Sequence, residues 1–393
     1  MTTSKPSLDL LTELTDEHVL SALISEPRLT RAELATLTGI SKPTIGDSVR
    51  RLSDVGLIRD TGERTTGRGR VGKYYALAAD VGCALTVSIA PEGIIAETVD
   101  VRGETMSRTV EAVARPAGPA AVESALRAAV TNVRDATRAM IRLTAISVAD
   151  PVDRGTGRLV QLPDTPFLVG ALDAKALLGE LVNGPVLVDN DVNWAARAER
   201  TANPSVDMDN FVYIYLGEGL GAAVVSDGEV RRGHAGMSGE IAHLVTIGAH
   251  GLAMPFTEVF NELGVRHAGS TAIDVAALID AVTTPGTVGQ ETRDAVAVAV
   301  CGVLAAAVAM ADPAAIIIGG RWGAHPALME AIDLAFAHCP RHVPVRTATV
   351  TEEAPLAGVR ERAVHDLRSA ITGYRRVSSR GPRMYVTPRD DRA

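Results

Sequence analysis

Residues 30–56 read TRAELATLTGISKPTIGDSVRRLSDVG, and this stretch predicts two short helices joined by a tight turn. Thr30 can cap the first helix, and a glutamate three residues later completes a capping box. Gly39 stands where the chain needs a left-handed backbone. Ser41 can cap the second helix, with Pro43 in its first turn, where a missing N–H costs little. The pattern favours a helix-turn-helix, whose second helix enters the major groove of DNA, over an ordinary helical hairpin.

The residues after this motif predict the β-hairpin wing of a winged helix-turn-helix. A short strand near 57–60 and a returning strand at 74–77 enclose a tip rich in glycine and arginine. Glycines let the backbone approach a phosphate closely, and arginines favour narrow minor grooves. The alternative is a solvated loop. We assign DNA contacts to Ser41, Lys42, Thr44, Arg50, Arg51, Arg68 and Arg70, the last three on phosphate or in the minor groove.

The distribution of charge supports a DNA-binding head on an acidic body. The chain has 393 residues, enough for two or three domains, and a formal net charge of −8. Between Ser41 and Tyr75, however, eight basic residues stand against four acidic ones. This local excess of positive charge suits contact with double-stranded DNA. Because the excess is moderate, we expect affinity to depend on a homodimer or homotetramer.

The cysteines and the hydropathy of the chain indicate the cellular compartment in which the protein works. The chain has three cysteines, Cys83, Cys301 and Cys339, which are far apart in the sequence and lie in apolar surroundings. We expect them to be buried as small hydrophobic side chains and to form neither a disulfide framework nor a metal site. The N-terminus has no signal-peptide pattern, and no apolar run is expected to be long enough to span a bilayer. The alanine-rich stretch Ala295–Met310 predicts a buried helix. We expect a cytoplasmic protein with no membrane partner.

Beyond Leu77 the pattern changes to that of an α/β body. Strand meanders start near Gly82 and again near Phe211, and βαβ units follow each of them. This predicts two lobes with a cleft between them, and it hints at a duplicated lobe. The predicted divisions are 1–76 for the winged helix-turn-helix, 77–200 for lobe 1, completed by a C-terminal helix over 355–376, 201–354 for lobe 2, and 377–393 for a disordered tail.

Polar groups are concentrated at the predicted strand ends of this body. Residues 189–193 and 233–243 hold closely spaced carboxylate, amide and imidazole groups, which can hydrogen-bond the vicinal hydroxyls of a sugar. An aspartate there could also deprotonate a hydroxyl. The body also has three glycine-bearing turns, at 80–84, 217–221 and 319–320. They are either ordinary turns between strands, or they bring backbone amides to the phosphates of a nucleotide bound in the cleft.

Taken together, residues from about 15 to 374 resemble the ROK family, which contains sugar kinases and sugar-responsive repressors. The resemblance is carried by the Ser-Lys-Pro-Thr of the helix-turn-helix, Asn190-Asp191 with Asn193, the Gly-x-x-Gly-Glu-x-x-His run over Gly236–His243, and Asp312-Pro313 ahead of Gly319-Gly320. It implies a two-lobed actin-like (ribonuclease-H-like) fold with a sugar site in the cleft. It places sugar contacts at Asn190, Asp191, Glu240, His243 and Glu258, with Asp164 near a further contact, and it matches Asp191 to the general base of the kinases.

Two glycine-rich turns depart from the kinase pattern of this family. The first phosphate turn, Asp-x-Gly-Gly-Thr in the kinases, is matched to residues 80–84, where Cys83 and Ala84 end the motif. In the second turn, Glu218 stands where the kinases usually have threonine. A carboxylate 4 Å from a phosphate costs about 1–4 kcal/mol, unless it points to solvent. We therefore expect no ATP binding, no catalytic residue, and a ligand-holding role for Asp191.

The loop after the Glu-x-x-His run also departs from the family pattern. Members usually carry a Cys-x-Cys-Gly-x-x-Gly-Cys zinc knuckle there, whereas residues 247–258 contain no cysteine. His243 and His250 alone cannot complete a four-coordinate zinc site, so we expect no metal cofactor. The side chains expected to fill the space are Leu252, Met254 and Phe256. His243 is then either a sugar ligand or a core histidine.

The leading hypothesis is a DNA-binding transcription regulator, a repressor, without enzymatic activity. A sugar or sugar phosphate bound in the cleft would bias lobe closure and so change DNA binding. One alternative is a sugar kinase with an accessory DNA-binding head. The other is a DNA-binding regulator whose cleft no longer binds sugar.

Overall fold

The computed structural model describes residues 8–66, 71–113, 118–160, 162 and 172–373. The chain forms two compact units, which we call the head and the body. The head comprises Met1–Val81 together with Asp366–Ala393, and the body comprises Gly82–His365. The head therefore extends a few residues beyond the boundary predicted at 76. The predicted tail lies outside the described residues.

The head combines three helices with a three-stranded sheet. Its elements are α1 (Leu8–Ser25), β1 (Leu29–Thr30), α2 (Arg31–Thr38), α3 (Lys42–Asp54), β2 (Ile58–Arg64) and β3 (Lys73–Leu77). The strands pair antiparallel in the order β1-β3-β2. Leu23, Leu34 and Val49, one from each helix, are fully buried in the core that the helices share. This arrangement is the predicted winged helix-turn-helix.

Local capping groups explain where the helices of the motif begin and end. The N–H of Glu33 donates to Thr30 Oγ1 at 3.2 Å, and the N–H of Thr30 donates to the Glu33 carboxylate at 2.7 Å, which confirms the capping box. Gly39 ends α2 with φ 70°, a conformation that side chains disfavour. Ser41 Oγ accepts the N–H of Thr44 at 3.4 Å where α3 begins. The turn is therefore set by local sequence.

The first lobe of the body is built on a five-stranded sheet. Its elements are β4 (Cys83–Ala90), β5 (Gly93–Val99), β6 (Thr105–Glu111), α4 (Pro119–Ala136), β7 (Ile141–Val148), α5 (Ala174–Leu181), β8 (Val186–Asn190) and α6 (Asp191–Ala202). The strand order is β6-β5-β4-β7-β8. The first three strands are antiparallel, and β7 and β8 run parallel to β4. Leu85, Leu126 and Ile146 are fully buried in its core.

The second lobe repeats this topology. Its elements are a 3-10 turn (Val206–Asp209), β9 (Phe211–Leu216), β10 (Leu220–Ser226), β11 (Glu229–Val230), a second 3-10 turn (Ile241–His243), β12 (Val245–Ile247), β13 (Ala253–Pro255), α7 (Phe256–Glu262), α8 (Val275–Thr283), α9 (Thr287–Ala311), β14 (Ala315–Gly319), α10 (Pro326–Phe336) and β15 (Val345–Thr347). The last helix, α11 (Ala354–Thr372), bonds to the first lobe, since Arg360 donates to Glu97 of β5. Its main sheet has the order β11-β10-β9-β14-β15, with β14 and β15 parallel to β9. Both sheets therefore join three antiparallel strands to two parallel ones, which confirms the hint of a duplicated lobe.

The apolar helix α9 is longer than expected from the sequence. It runs over 25 residues, and by length and composition it could cross a membrane. The expectation that no apolar run is long enough was therefore wrong. Val296, Val300 and Leu304 are nevertheless fully buried in the core of the second lobe. The helix packs as a core helix, which confirms the prediction made for the alanine-rich stretch.

Candidate functional site

The exposed face of α3 presents the predicted groove contacts. Lys42, Thr44 and Arg50 are exposed there, while the apolar residues of the helix face the core of the head. Ser41 Oγ and Thr44 Oγ1 lie 2.8 Å apart at the N-terminus of the helix. Arg50 donates to Asp47 at 2.8 Å, yet its side chain is 67% exposed. These side chains are accessible to a base edge or a phosphate, and their assignment to DNA stays a prediction.

Arg51 has a different partner from the one predicted. Its Nε and a terminal nitrogen donate to the two carboxylate oxygens of Asp16 at 3.2 and 2.6 Å, and the side chain is only 23% exposed. Ser48 donates to the same carboxylate at 2.5 Å. The cluster ties α3 to α1, so the assignment of Arg51 to phosphate was wrong. Arg68 and Arg70 lie outside the described residues.

In the described part of the wing, an acidic side chain pairs with basic side chains. Arg64 and Lys73 lie 2.9 and 3.2 Å from the carboxylate of Asp60. The N–H of Gly62 is the main group that lowers the pKa of Asp60, and the two cations lower it further. Asp60 therefore pairs with two of the eight basic residues counted in this part of the sequence and offsets one positive charge.

A cavity of about 640 Å³ opens between the two lobes of the body. This volume lies within the range of small-molecule sites. Its walls come from the β4–β5 turn, the start of α6, strand β9, the β9–β10 turn, the segment around the second 3-10 turn, the end of β14 and the start of α11. The predicted residues Asn190, Asp191, Glu240 and His243 all line it. His243 is exposed there, so it is not the core histidine considered as an alternative.

Asn190 and Asp191 stand at the carboxyl end of β8, where α6 begins. Asn190 caps α6, since its Oδ1 accepts the N–H of Val192 at 2.9 Å and its Nδ2 donates to the Asp150 carbonyl at 3.2 Å. Asp191 accepts the N–H of Val192 at 2.8 Å. The pKa of Asp191 is raised to about 7, mainly by burial. The hydrogen bond from the Val192 N–H acts in the opposite direction and lowers this pKa, whereas the charge of Glu240 raises it further. The pair is therefore rigidly placed at the cavity wall.

The Gly-x-x-Gly-Glu run brings Glu240 into the cleft. Gly236 and Gly239 have φ values of 88° and 99°. A Cβ at Gly236 would lie 2.0 Å from the carbonyl oxygen of Val152, and one at Gly239 would lie 1.8 Å from that of Ala222. Only glycine fits at both positions. Burial raises the pKa of the carboxyl that they position, Glu240, to about 7.

Asp150 was not among the predicted site residues. It follows β7, is 1% exposed, and neither carboxyl oxygen has a hydrogen-bond partner in the described part of the chain. Burial, and then the charges of Asp191 and Glu240, raise its pKa to about 7. Its neighbours Ala149 and Pro151 line the cavity, but Asp150 itself does not. Across the residues that the structure covers, no group of His, Cys, Asp and Glu side chains is arranged to hold a metal ion.

Glu258 does not line the cleft. It lies on α7, where it is 2.8 Å from Arg266 and accepts from Asn261 at 3.2 Å. The residue that α7 contributes to the cavity is Thr257. Successive residues of a helix point roughly 100° apart, so an error of one position turns a side chain away from a site. The assignment of Glu258 was therefore wrong, and Asp164 lies outside the described residues.

The body matches a known protein family over most of its length. A model of the ROK family matches residues 92–360, which is more than half of the chain. The chain belongs to the ROK family. A model of winged helix-turn-helix DNA-binding domains matches residues 13–59, within the head.

Curated relatives of this ROK protein include repressors and kinases. The xylose repressor of Bacillus subtilis (strain 168) is 22% identical over 229 residues, which are 58% of this chain and 59% of the repressor. The glucokinase of Streptomyces coelicolor is 30% identical over 164 residues, which are 42% of this chain and 50% of the kinase. The chain thus spans about three fifths of the length of the repressor that it matches.

Solved structures of ROK proteins show the same fold. A ROK family transcriptional regulator, described as a homolog of the E. coli MLC protein, has a TM-score of 0.61 at 20% identity, over 92% of this chain and 99% of that one. A ROK family glucokinase from Streptomyces griseus, in complex with glucose and AMPPNP, has a TM-score of 0.55 at 22% identity, over 72% of this chain and 99% of that one. The predicted fold, a winged helix-turn-helix followed by an actin-like sugar-kinase fold, is confirmed.

The first glycine-rich turn of the ROK domain is not where the sequence placed it. Cys83 begins β4 and is fully buried, whereas the turn that lines the cleft is Pro91-Glu92-Gly93 at the other end of that strand, roughly 23 Å away. The match of residues 80–84 to a phosphate turn was therefore wrong. Glu92 in the β4–β5 turn and Glu218 in the β9–β10 turn both line the cleft.

The segment that carries a zinc knuckle in many ROK proteins is a β-hairpin here. Strands β12 and β13 pair antiparallel. Phe256 is fully buried in the core of the second lobe, and Met254 packs against that core, as expected. Leu252 is 65% exposed, so the expectation that it fills the same space was wrong. Apolar packing at two of the three positions holds the hairpin to the lobe.

Proposed function

We propose that this protein is a DNA-binding transcription regulator, a repressor, controlled by a sugar or sugar-derived effector in the ROK cleft. The observation that carries the proposal is the combination of a winged helix-turn-helix head with a cleft lined by Asn190, Asp191 and Glu240. The hydroxyls of a sugar can donate to these side chains. A kinase reaction needs only the cleft, whereas the head has a use only on DNA.

Two carboxylates support a regulator without kinase activity. Glu92 and Glu218 stand in the two turns that line the cleft. A carboxylate 4 Å from a phosphate costs about 1–4 kcal/mol, and about 1.4 kcal/mol corresponds to a tenfold loss of affinity. ATP would meet this cost at both turns. The ROK domain accordingly works without ATP, zinc or another cofactor, and Asp191 serves to hold the ligand.

The effector acts by shifting a conformational equilibrium of the body. A ligand that contacts both lobes favours their closed arrangement, and it changes DNA binding only by the difference between its affinities for the two states. The protein works in the cytoplasm as a homodimer or homotetramer, because a head of moderate positive charge gains affinity when a second head binds the same DNA.

Recovery of genomic DNA fragments with the purified full-length protein tests this proposal. We expect enrichment of a few promoter fragments and their release by one member of a sugar panel. The same sugar should raise Tm, since a ligand at a hundred times its Kd adds about 2.7 kcal/mol. Enrichment without release by any sugar would support a regulator whose cleft is not used. Absence of enrichment would overturn the regulator itself.

A sugar kinase with an accessory head is the second candidate function. It is favoured by the glucokinase relative and by the resemblance that matches Asp191 to the general base of the kinases. ATP turnover with a panel of hexoses, abolished by Asp191→Asn, would establish it. We expect turnover by the unmodified protein to stay at the level of that variant.

A further inference from the structure

An arginine of α2 lies beside the exposed face of α3. Arg31 is the first residue of α2, and its side chain is exposed. One of its terminal nitrogens lies 3.9 Å from the point where a Cβ on Gly46 would stand. Gly46 shares one face of α3 with Lys42 and Arg50, because residues four apart on a helix are neighbours. The guanidinium of Arg31 therefore lies at the place that the glycine leaves open on the face predicted to meet DNA.

The ring of a buried tyrosine holds this guanidinium in place. The central carbon of the Arg31 guanidinium lies 5.3 Å from the centroid of the Tyr75 ring, and Tyr75 of β3 is only 6% exposed. The face of an aromatic ring attracts a cation, and a guanidinium over that face keeps its N–H groups available as donors. The contact therefore gives Arg31 a defined position without using its hydrogen-bonding capacity.

Ion pairing distinguishes Arg31 from most basic side chains of the head. Among the described basic residues between positions 28 and 73, those that pair with a carboxylate are Arg28, Arg50, Arg51, Arg64 and Lys73. Those that have no carboxylate partner within the described part of the chain are Arg31, Lys42 and Arg59. A phosphate can therefore bind Arg31 without competing with a carboxylate of the head.

The place of α2 in the motif favours a phosphate over a base edge as the partner of Arg31. In a helix-turn-helix the second helix lies in the major groove, whereas the first helix crosses the DNA backbone. Arg31 belongs to the first of these helices, and its guanidinium approaches the second at Gly46. It therefore lies where the groove meets the backbone, and a guanidinium there can donate two parallel N–H bonds to one phosphate.

We propose that Arg31 binds a phosphate of the DNA backbone beside the groove that α3 enters, with Tyr75 as its positioning residue. This inference rests on the proposed function, and it adds to the DNA-binding surface a residue that the motif did not indicate. Because the partner is the backbone of double-stranded DNA, the contact contributes affinity at every sequence and carries no sequence information of its own.

Fluorescence anisotropy with the full-length protein tests the proposal on two DNA duplexes, a recovered promoter fragment and a fragment of unrelated sequence. Arg31→Ala should weaken binding to both duplexes about tenfold and reduce the slope of log K against log salt by about one, since one phosphate contact is lost. The ratio of the two affinities should stay within about twofold of that of the unmodified protein. Arg31 is exposed, so its truncation leaves the core of the head intact.

Arg28→Ala is the matched control. The guanidinium of Arg28 lies 5.0 Å from the centroid of the Tyr74 ring, a contact similar to that of Arg31. Unlike Arg31, however, Arg28 pairs with Glu63. Adjacent residues of a strand point to opposite faces of the sheet, so the two arginines lie on opposite sides of β3. Arg28→Ala should therefore leave the salt slope unchanged and alter the affinity for DNA less than about twofold.

Two substitutions of Tyr75 test its positioning role. Tyr75→Leu removes the aromatic face and should weaken DNA binding about threefold or more, whereas Tyr75→Phe keeps the face and should bind DNA as the unmodified protein does. Circular dichroism and urea unfolding show that each variant is folded under the conditions of the binding assay. Equal affinities of the two folded variants for DNA would contradict the role of the ring.

The outcomes separate this inference from the proposed function. If the unmodified protein binds the promoter fragment and Arg31→Ala binds it with the same affinity and salt slope, the phosphate contact is wrong and the DNA-binding regulator stands. A loss confined to the promoter fragment would also contradict the phosphate contact, because it would show that Arg31 reads a base. If the unmodified protein binds no DNA, the proposed function and this inference are both overturned.

Discussion

Asp150, Asp191 and Glu240 come from different segments of the chain, yet each has a pKa raised to about 7, with burial as the main cause. Groups perturbed in this way are typical of functional sites, because a protein otherwise exposes or pairs its carboxyls. At the residue scale, burial therefore leaves these three carboxyls partly protonated at pH 7. The same burial makes the stability of the folded protein depend on pH.

Lowering the pH from 7.5 to 5.5 should stabilise the protein against unfolding. The pKa of Asp150 rises from an ordinary 3.8 to about 7 on folding, so the folded state binds more protons, and stability falls as the pH rises through this window. One such group contributes up to about 1.4 kcal/mol per pH unit. In urea titrations at pH 5.5, 6.5 and 7.5, Asp150→Asn should show a shallower dependence than the unmodified protein. Equal slopes would contradict the raised pKa of Asp150.

At the scale of elements, α3 has two faces with different tasks. Its exposed face carries Lys42, Thr44 and Arg50, and its inner face carries Ser48 and Arg51, which bind Asp16 of α1. Adjacent arginines thus have unrelated roles because helical geometry directs them to different sides. The order of the two side chains along the sequence does not reveal which of them faces outward.

Substitution of these two arginines should separate DNA affinity from stability. Arg50→Ala should weaken binding to the recovered DNA fragments about tenfold and reduce the dependence of log K on log salt, because it removes an exposed cation from the face of α3 that is predicted to meet DNA. Arg51→Ala should lower the free energy of unfolding by about 1–3 kcal/mol, because it leaves the Asp16 carboxylate with fewer donors. Fluorescence anisotropy over a salt series and urea unfolding measure the two effects. A larger loss of salt dependence in Arg51→Ala than in Arg50→Ala would reverse our assignment.

A buried ionic cluster joins β5, β6 and α11 in the body. Glu97 of β5 is fully buried, accepts from Arg360 at 2.8 and 3.0 Å, and accepts from Arg108 at 3.1 Å. Arg108 and Arg360 are 33% and 32% exposed, and Arg108 also pairs with Glu353, so removing one member costs less than the roughly 3–5 kcal/mol of a fully buried pair. The cluster therefore anchors the start of α11, which contributes to the cavity wall.

Glu97→Gln should lower the free energy of unfolding by about 1–3 kcal/mol, because the hydrogen bonds from Arg108 and Arg360 lose their charged acceptor. Glu123→Gln is the matched control, since Glu123 makes an exposed pair with Arg127 that is worth less than about 1 kcal/mol. Urea unfolding of both variants measures the difference. A loss in Glu97→Gln no greater than that in the control would show that the cluster contributes little.

At the scale of the whole molecule, the duplicated topology of the body explains where two glutamates meet. Strands β4 and β5 of the first lobe occupy the same places in their sheet as β9 and β10 of the second. The turns that join these pairs, with Glu92 and Glu218, both line the cleft. Equivalent turns of the two lobes thus present negative charge to one cavity.

The double variant Glu92→Thr and Glu218→Thr should bind a fluorescent ATP analogue at least tenfold more tightly than the unmodified protein. The physical reason is removal of two repulsive charges from the surroundings of the triphosphate. Glu104→Thr, which changes an exposed glutamate outside the lining, is the control and should have no effect. Tight binding of the analogue by the unmodified protein would instead support the kinase.

A feature could be predicted from the sequence when the interactions that determine it act between near neighbours in the chain. The head was predictable because its capping box, Gly39 and Ser41 act within a few residues. Helix α10 was not predicted, because it starts at Pro326 without a side-chain cap and so has a weak local signal. Of the residues that line the cleft, Asn190 and Glu240 were found from local motifs, whereas Glu92 was missed because the first glycine-rich turn was matched to residues 80–84.

The sequence by itself determined the head, the two lobes and the motifs at the cleft, since caps, strand periodicity and glycine-bearing turns are signals between near neighbours in the chain. Only the tertiary structure decided that Arg51 binds Asp16, that the β4–β5 turn enters the cleft, and that Asn190 holds the carbonyl of Asp150. These contacts join segments far apart in sequence, and they exist only because the packing of helices and sheets brings the segments together.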